Sequence, residues 1–386
     1  MAEVVIAGIG QIPVGEHWDL SLRSQAAKAI LAAQKDAGGL KPQALYIGNA
    51  IASTALHQTN LGALLAEWSG NWGIEGYTVE AAGASGAGAF HLAYLAISSG
   101  FVQIAAVVGV EKVTDVVGPE LELAIAETTD YDYELTPGLT PAAQAGLIMR
   151  RYMQQYDVPR EAFGAFAVLA HENAVGNLNA MYRKPITPAQ YNAAGMVSDP
   201  LGLMDVGPYA DGAAAVILAR SDMVPPNLGH RLVRVTGSAN AIDTLALHDR
   251  DDPLAFEAAR ISVQRACRQA GILPGDVDFF ELTDSFSVYA PLSLEAAGFA
   301  KPGEGWKLGQ DGSLARGSRL PIQTMGGFKA RGNPLGAAGM YQIVEAALQL
   351  RGEAGASQLS KARRALVQNL GGPASTAVTH VLETWL

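Results

Sequence analysis

Glu80–Val110 reads EAAGASGAGAFHLAYLAISSGFVQIAAVVGV and carries no Asp, Glu, Lys or Arg after its first residue. Small residues from Ala81 to Ala89 open it, and Phe90, Leu92, Ala93, Leu95 and Ala96 follow at mixed helical spacing. Ser98-Ser99-Gly100 supplies a helix stop, and the β-branched run up to Val110 reads as a buried strand. A run this free of charge could instead cross a membrane. His91, Gln103, the Ser-Ser-Gly break and the switch to strand-like composition favour a buried helix followed by a buried strand. Gly83, Ala84 and Ser85 then stand at the N-terminus of this central helix, where free N–H groups and the helix dipole favour negative charge. The bland reading is that Gly83-Ala84-Ser85-Gly86 simply lets the helix pack closely against a neighbour.

The rest of the chain suits a core built around such a unit. With 386 residues, 49% hydrophobic and only 17% charged, it is long enough for two core domains or one fused double domain. A net charge of −10 argues against nucleic-acid binding and against an anionic membrane surface, so an anionic ligand must meet a local cluster of positive charge. The single cysteine, Cys267, sits within an amphipathic helix expected over Phe256–Ala270, which excludes an internal disulfide and a Cys-based metal site. Met1-Ala2-Glu3 lacks a basic region and runs into strand-like Val4-Val5-Ile6-Ala7, so the expectation is a cytoplasmic protein without a signal peptide or inserted membrane segment.

Residues 4–14 read as a buried strand whose Gly8-Ile9-Gly10 resembles a dinucleotide-binding turn. That reading fails because the third glycine is missing and Pro13 occupies the helix start. A helix over Leu20–Gly38, a strand over Ala44–Ile51 and a helix over Leu61–Trp68 lead to the central unit. Residues 114–208 change character, with acids and aromatics clustered in TTDYDYELTPG and helices expected over Pro141–Gln155 and Arg160–Asn177; they read as an inserted lobe. Asp211–Arg220 returns to buried-strand composition, and Val224-Pro225-Pro226-Asn227 reads as a linker. Then the pattern begins again. Ala27–Ile47 parallels Ala258–Phe279, and Gly83–Val110 parallels Gly332–Gly371. Two copies of one α/β unit, residues 1–224 and 225–386, are expected, with helix starts near Gly83 and Asn333 facing each other across a pocket.

Several blocks in this order carry a resemblance: VEAAGASGAGAF (79–90), GVEKVTD (109–115), HENAVGNLNAMYRKPIT (171–187), PLGLMDVGPYADGAAAV (200–216), ELTDSFS (281–287), GGFKARGNPLGAAGMYQ (326–342) and NLGGP (369–373). Together they cover nearly the whole chain, which resembles the thiolase superfamily and, within it, the branch of sterol-carrier-protein thiolases. The resemblance implies an α/β thiolase fold, a duplicated αβαβα five-layered sandwich with an inserted lobe, a homodimer, and coenzyme A thioesters as substrates without a permanently bound cofactor.

The reactive residues of that family are missing. Gly83 stands where the family has its nucleophilic cysteine, Thr283-Asp284-Ser285-Phe286 where it has His-Asp-Cys-Phe, Gly332-Asn333-Pro334 where it has Gly-His-Pro, and Gly371-Gly372-Pro373 in the final loop. Ping-pong acyl transfer needs a thiolate and a base poised near neutrality, and neither remains. Asn333 at a helix start can still donate its amide to a thioester oxygen, which keeps an oxyanion hole and so a site for an enolate. The resemblance extends to cysteine-poor thiolase-like steroid side-chain aldolases, which work with a small OB-fold partner of the DUF35 type.

Tyr341, Thr283, Ser285 and Asp284 are the candidate proton carriers beside Asn333. Tyr341 reads equally as a packed core tyrosine and Asp284 as a buried structural acid; Thr283 and Ser285, two apart on a strand, share a face. Arg183, Lys184, Lys329 and Arg331, with Gly332, are the candidate contacts for coenzyme A, each read alternatively as a surface charge. The expected activity is a retro-aldol cleavage of a 3-hydroxyacyl-CoA. The alternatives are an acyltransferase completed by a partner, and a non-catalytic acyl-CoA-binding or scaffold protein.

Overall fold

The computed structural model describes residues 3–116 and 118–385. Met1, Ala2, Val117 and Leu386 lie outside them, and the reading of Met1-Ala2 as the start of a leaderless chain falls there too.

The first part of the chain runs β1 (Val4–Gln11), α1 (Leu22–Asp36), β2 (Ala44–Gly48), α2 (Ala52–Ala55), α3 (Leu61–Trp68), β3 (Glu75–Val79), α4 (Ser85–Ser98) and β4 (Ile104–Glu111). The lobe follows with α5 (Pro119–Ala126), α6 (Pro141–Tyr156), α7 (Gly164–Ala174), α8 (Pro188–Ala193) and a ribbon of β5 (Met196–Ser198) and β6 (Leu201–Gly202). β7 (Gly212–Arg220) returns to the core. The remainder is β8 (Val233–Ile242), α9 (Glu257–Ala270), β9 (Phe279–Glu281), α10 (Tyr289–Ala296), α11 (Gly305–Gln310), α12 (Ala338–Arg351), β10 (Arg364–Gly371) and β11 (Thr376–Thr384).

Nine of the strands form one continuous mixed sheet in the order β3-β2-β4-β7-β1-β8-β11-β10-β9, whose two halves make two layers. Outward from the β1/β8 join, β1, β7, β4 and β2 correspond to β8, β11, β10 and β9, so the order repeats about that join. The join is short, Val5 opposite Arg234 and Ile6 opposite Val233. Both α4 and α12 pack against strands on either side of it, while α1 and α3 cover the outside of the first group and α9 the outside of the second. The result is helix, sheet, helix, sheet, helix. One apolar core runs through the middle, joining Phe90 and Ala93 of α4, Met340 and Val344 of α12, Val107 and Val216 of one group of strands and Val367 and Leu382 of the other.

Two glycines set the spacing of the middle layer. A Cβ on Gly86 would lie 2.8 Å from the carbonyl oxygen of Gly336, and one on Gly339 would lie 2.9 Å from the amide nitrogen of Ala87. The two central helices therefore touch backbone to backbone at their first turns, which no larger residue allows.

The strand expected under Thr283 and Ser285 stops earlier, at Glu281. Beyond it the Thr283 hydroxyl accepts the N–H of Leu370 at 3.0 Å, taking the role a ladder bond would have. The helix expected over Arg160–Asn177 begins as a 3-10 turn, Arg160–Phe163, and becomes α-helical only from Gly164 to Ala174.

Candidate active site

α4 begins with a 3-10 turn at Ala82–Ala84, entered through Ala82 at a φ of 51°. Ser85 holds that turn: its hydroxyl donates to the carbonyl of Ala82 at 2.6 Å and accepts from the N–H of Ala81 at 2.9 Å. Its side chain is therefore committed to the backbone. α12 is entered in the same way, through Leu335 at a φ of 38° and a 3-10 turn at Leu335–Ala337. Non-glycine residues in this region cost on the order of 1–3 kcal/mol and persist only where surrounding packing fixes them.

Just ahead of that second turn, Asn333 is held at three points. Its N–H donates to Pro208 at 2.8 Å, its carbonyl accepts from Ala210 at 3.2 Å, and its side-chain Oδ1 accepts from the N–H of Leu335 at 3.1 Å. Using Oδ1 as a cap fixes the direction of the other end of the amide. Among the described residues nothing accepts from Nδ2.

A cavity of about 70 Å³ lies where these starts converge. Gly83, Thr283, Ser285, Asn333 and Gly372 line it, bringing four separate segments of the chain together. The lobe closes the other side with Thr128, Thr129 and Gln144, and Tyr209 and Tyr289 complete the polar wall. Among the described residues, no lining side chain carries a charge, a thiol or an imidazole. What remains is hydrogen-bonding chemistry, and the low local dielectric strengthens each such bond.

The space at Gly83 is closed as well as empty of chemistry. A Cβ there would sit 2.8 Å from the carbonyl oxygen of Leu370, at the end of β10. Cys267 offers no substitute: it is buried in α9 on the outer layer, among Val263, Ala266 and Val277, and burial pushes its thiol up to about 11.

Five expected site residues serve elsewhere. Tyr341 is fully buried in α12, and its hydroxyl lies 2.8 Å from the carbonyl of Ile12 and 3.1 Å from that of Ala213, so it ties the middle helix to β1 and β7. Asp284 is fully buried behind the cavity wall and accepts the N–H of Phe328 at 2.7 Å. Burial raises its carboxyl above the usual range although Lys329 and Arg331 oppose the rise. Lys329 and Arg331 are themselves buried, where no phosphate can reach them. Lys329 donates to the backbone carbonyl of Asp205 and burial pushes its ammonium down to about 8; Arg331 pairs with Glu345 at 2.8 Å. Gly332, at a φ of 105°, packs against Val14 and lines no part of the cavity.

Thr283 lines the cavity, but its hydroxyl already bonds Leu370 and faces the carbonyl of Gln368 at 3.3 Å. Ser285 is half-buried and, among the described residues, its hydroxyl has no partner. Arg183 and Lys184 are exposed on the segment after α7. Tyr209 and Tyr289 were not anticipated. Both phenols face no protein acceptor among the described residues, and burial raises both above the ordinary phenol value, so they stay protonated near neutral pH. Their signal lay in the sequence: Tyr209 falls inside the block 200–216 and Tyr289 two residues beyond the block 281–287.

Comparison with known proteins agrees with this architecture. Residues 4–199 match the model of the thiolase N-terminal domain, and residues 239–384 that of the thiolase C-terminal domain-like family. The chain is 39% identical over 383 residues, 99% of each sequence, to an acetyl-CoA acetyltransferase of Methanothermobacter thermautotrophicus. It is 33% identical over 390 residues, again 99% of each, to an acetyl-CoA acetyltransferase of Methanocaldococcus jannaschii. A solved Ltp2-ChsH2(DUF35) aldolase superposes with a TM-score of 0.84 at 25% identity, covering 99% of this chain and 98% of the other. With both halves matched, and the repeat of strands and central helices that the fold displays, the chain belongs to the thiolase family.

Proposed function

We propose that this protein binds an acyl-CoA thioester and cleaves or forms a carbon-carbon bond without a covalent acyl-enzyme, acting as an aldolase on a 3-hydroxyacyl-CoA. The support is the neutral cavity in which, among the described residues, the acceptor-free Nδ2 of Asn333 and hydroxyls without protein acceptors meet beside a residue, Gly83, that has no room for a thiol. In the cleavage direction the 3-hydroxyl loses its proton, the C2–C3 bond breaks, and its electron pair moves into the thioester carbonyl. The Asn333 amide donates to the resulting enolate oxygen. Protonation at C2 then yields a shorter acyl-CoA and an aldehyde or ketone. Ser285, Tyr209 and Tyr289 are the hydroxyls able to relay those protons.

Exposed Arg183 and Lys184 are the candidate phosphate contacts for coenzyme A. A DUF35-type partner with an OB-fold is proposed from the likeness to the Ltp2-ChsH2(DUF35) aldolase. A homodimer is proposed from the surface around β3, an open sheet edge bearing exposed Tyr77, next to exposed Trp72 and to Leu92 and Leu95 of α4. Residues 1–224 and 225–386 are proposed as the two units, with the lobe of 114–208 shaping the acyl site. Among the described residues no helix is long and apolar enough to cross a membrane, and the proposed setting is the cytoplasm.

A second reading, acyl transfer with a nucleophile supplied by a partner, is favoured by the two relatives named acetyl-CoA acetyltransferase. One experiment separates them. The purified protein, alone and with a DUF35-type subunit, is incubated with 3-hydroxyacyl-CoAs of graded bulk. Equal amounts of a shorter acyl-CoA and a carbonyl product support the aldolase. An acyl group retained on either protein under denaturing mass spectrometry favours transfer. Tight binding without products from either mixture leaves a non-catalytic binder or scaffold, and the aldolase reading is then wrong.

A further inference from the structure

Gln144 belongs to the lobe helix α6, is 1% exposed and lines the cavity. Its Nε2 is buried without any acceptor among the described residues. Leaving an amide end unpaired in such a place costs about as much as a lost hydrogen bond, and an apolar side chain of the same length would avoid the cost. The polar neighbours on the same wall do not relieve it. The hydroxyls of Thr128 and Thr129 each donate at 2.7 Å to carbonyls at the end of the preceding helix α5, those of Ile125 and Ala126. Among the described residues, Gln144 thus brings an amide with no hydrogen-bond partner to a wall that the lobe otherwise makes of Ile125, Pro141 and self-bonded threonines.

We infer that Gln144 reads an oxygen substituent on the acyl chain, namely the 3-hydroxyl of the substrate, and so makes the cavity selective for hydroxylated over saturated acyl-CoAs. This rests on the acyl-CoA reading given above. Donation from Nε2 to the hydroxyl oxygen leaves the O–H proton free to depart, and it stabilises the negative charge that develops there when it does. A hydroxyl also suits the amide in either orientation about its terminal bond, since it can accept from the nitrogen or donate to the oxygen.

The test compares dissociation constants for a 3-hydroxyacyl-CoA and the saturated acyl-CoA of equal length, using wild type, Gln144→Leu and Gln144→Met. Wild type should prefer the hydroxylated ligand by about tenfold or more. Both variants should lose that preference while holding the saturated ligand as well as wild type or better, and their apo forms should melt no lower than wild type because an unpaired polar group has been removed. Equal affinity of wild type for the two ligands, or variants that keep the preference, overturns the role of Gln144 and leaves the acyl-CoA reading standing. Variants that melt several degrees lower show that the amide has a structural partner, and they overturn it too. Failure of wild type to bind either ligand overturns the acyl-CoA reading itself, and Gln144 with it.

Discussion

The two central helices start alike and end differently. Each is reached through a residue of positive φ and a 3-10 turn, and each runs for 14 residues. The one without charges, α4, has an open face, with Leu92 and Leu95 more than 40% exposed. α12 carries Glu345 and Arg351 and is buried almost throughout. Its polar side chains find partners inside: Glu345 pairs with Arg331 at 2.8 Å, Arg351 with Asp36 at 2.7 Å, and Gln349 donates to Ser357 at 2.8 Å. Charge along a helix is thus no guide to its exposure when the partners come from elsewhere in the chain. The starts differ in chemistry too, since Asn333 offers an amide nitrogen without an acceptor among the described residues and Gly83 offers only backbone.

The largest effect is expected at the start of α12. Asn333→Ala should lower turnover of a 3-hydroxyacyl-CoA by about 10²–10³, the usual loss for one oxyanion donor, with little change in substrate binding. Steady-state kinetics check this, and an unaltered rate would remove the chemical distinction between the two helix starts. Gly83→Cys probes the other start. Because its Cβ would press on the carbonyl of Leu370 at 2.8 Å, the variant should be destabilised by about 1–3 kcal/mol and gain no acyl-enzyme. Chemical denaturation and mass spectrometry of the intact protein read both outcomes, and a stable, acylated variant would mean the site had kept room for a thiol.

Next comes a pH effect beneath α4. His380 is fully buried against Phe90, at 2.9 Å from the Ser238 hydroxyl, and burial pushes its imidazole down to about 3. An unfolded histidine titrates near 6.5, so the unfolded state binds the extra proton first as the solution is acidified. The associated stability is complete above about pH 6.5 and is lost as pH falls toward 3. Wild type should therefore lose about 2 kcal/mol more than His380→Gln between pH 7 and pH 5, measured by urea unfolding. Parallel losses would mean that the histidine is charged in the folded protein.

The smallest effect concerns the open face of α4. If a second copy covers it, Leu92→Asp combined with Leu95→Asp should weaken self-association about tenfold or more, equivalent to about 1.4 kcal/mol, in sedimentation equilibrium. The same pair of changes on a monomer would leave the molecular mass unaltered and the folded state almost as stable.

Much of the site was legible in the sequence, and the misses share a cause. That Gly83 and Asn333 stand at the two central helix starts follows from reading blocks in order, because backbone turns and helix starts are local features. Choosing among hydroxyls was different. Tyr341 sits in a glycine-rich block next to Asn333 but is turned to carbonyls of Ile12 and Ala213, whereas Tyr289 and Tyr209 reach the cavity from other segments. Lys329 and Arg331 carry the composition of a phosphate clamp, yet they are held by Asp205 and Glu345 inside the protein.

The sequence by itself determined the fold and its duplication, and it set the expectation of a site without thiolate chemistry. Apolar periodicity, helix stops and missing side chains are properties of neighbouring residues. The tertiary structure alone decided which polar groups stay unpartnered in the cavity and which are spent on buried pairing. Asp205 lies more than a hundred residues from Lys329 in the chain, and Gln144 comes to the cavity wall from the inserted lobe. A group's usefulness there depends on whether something distant has already taken its hydrogen bond, and no local pattern records that.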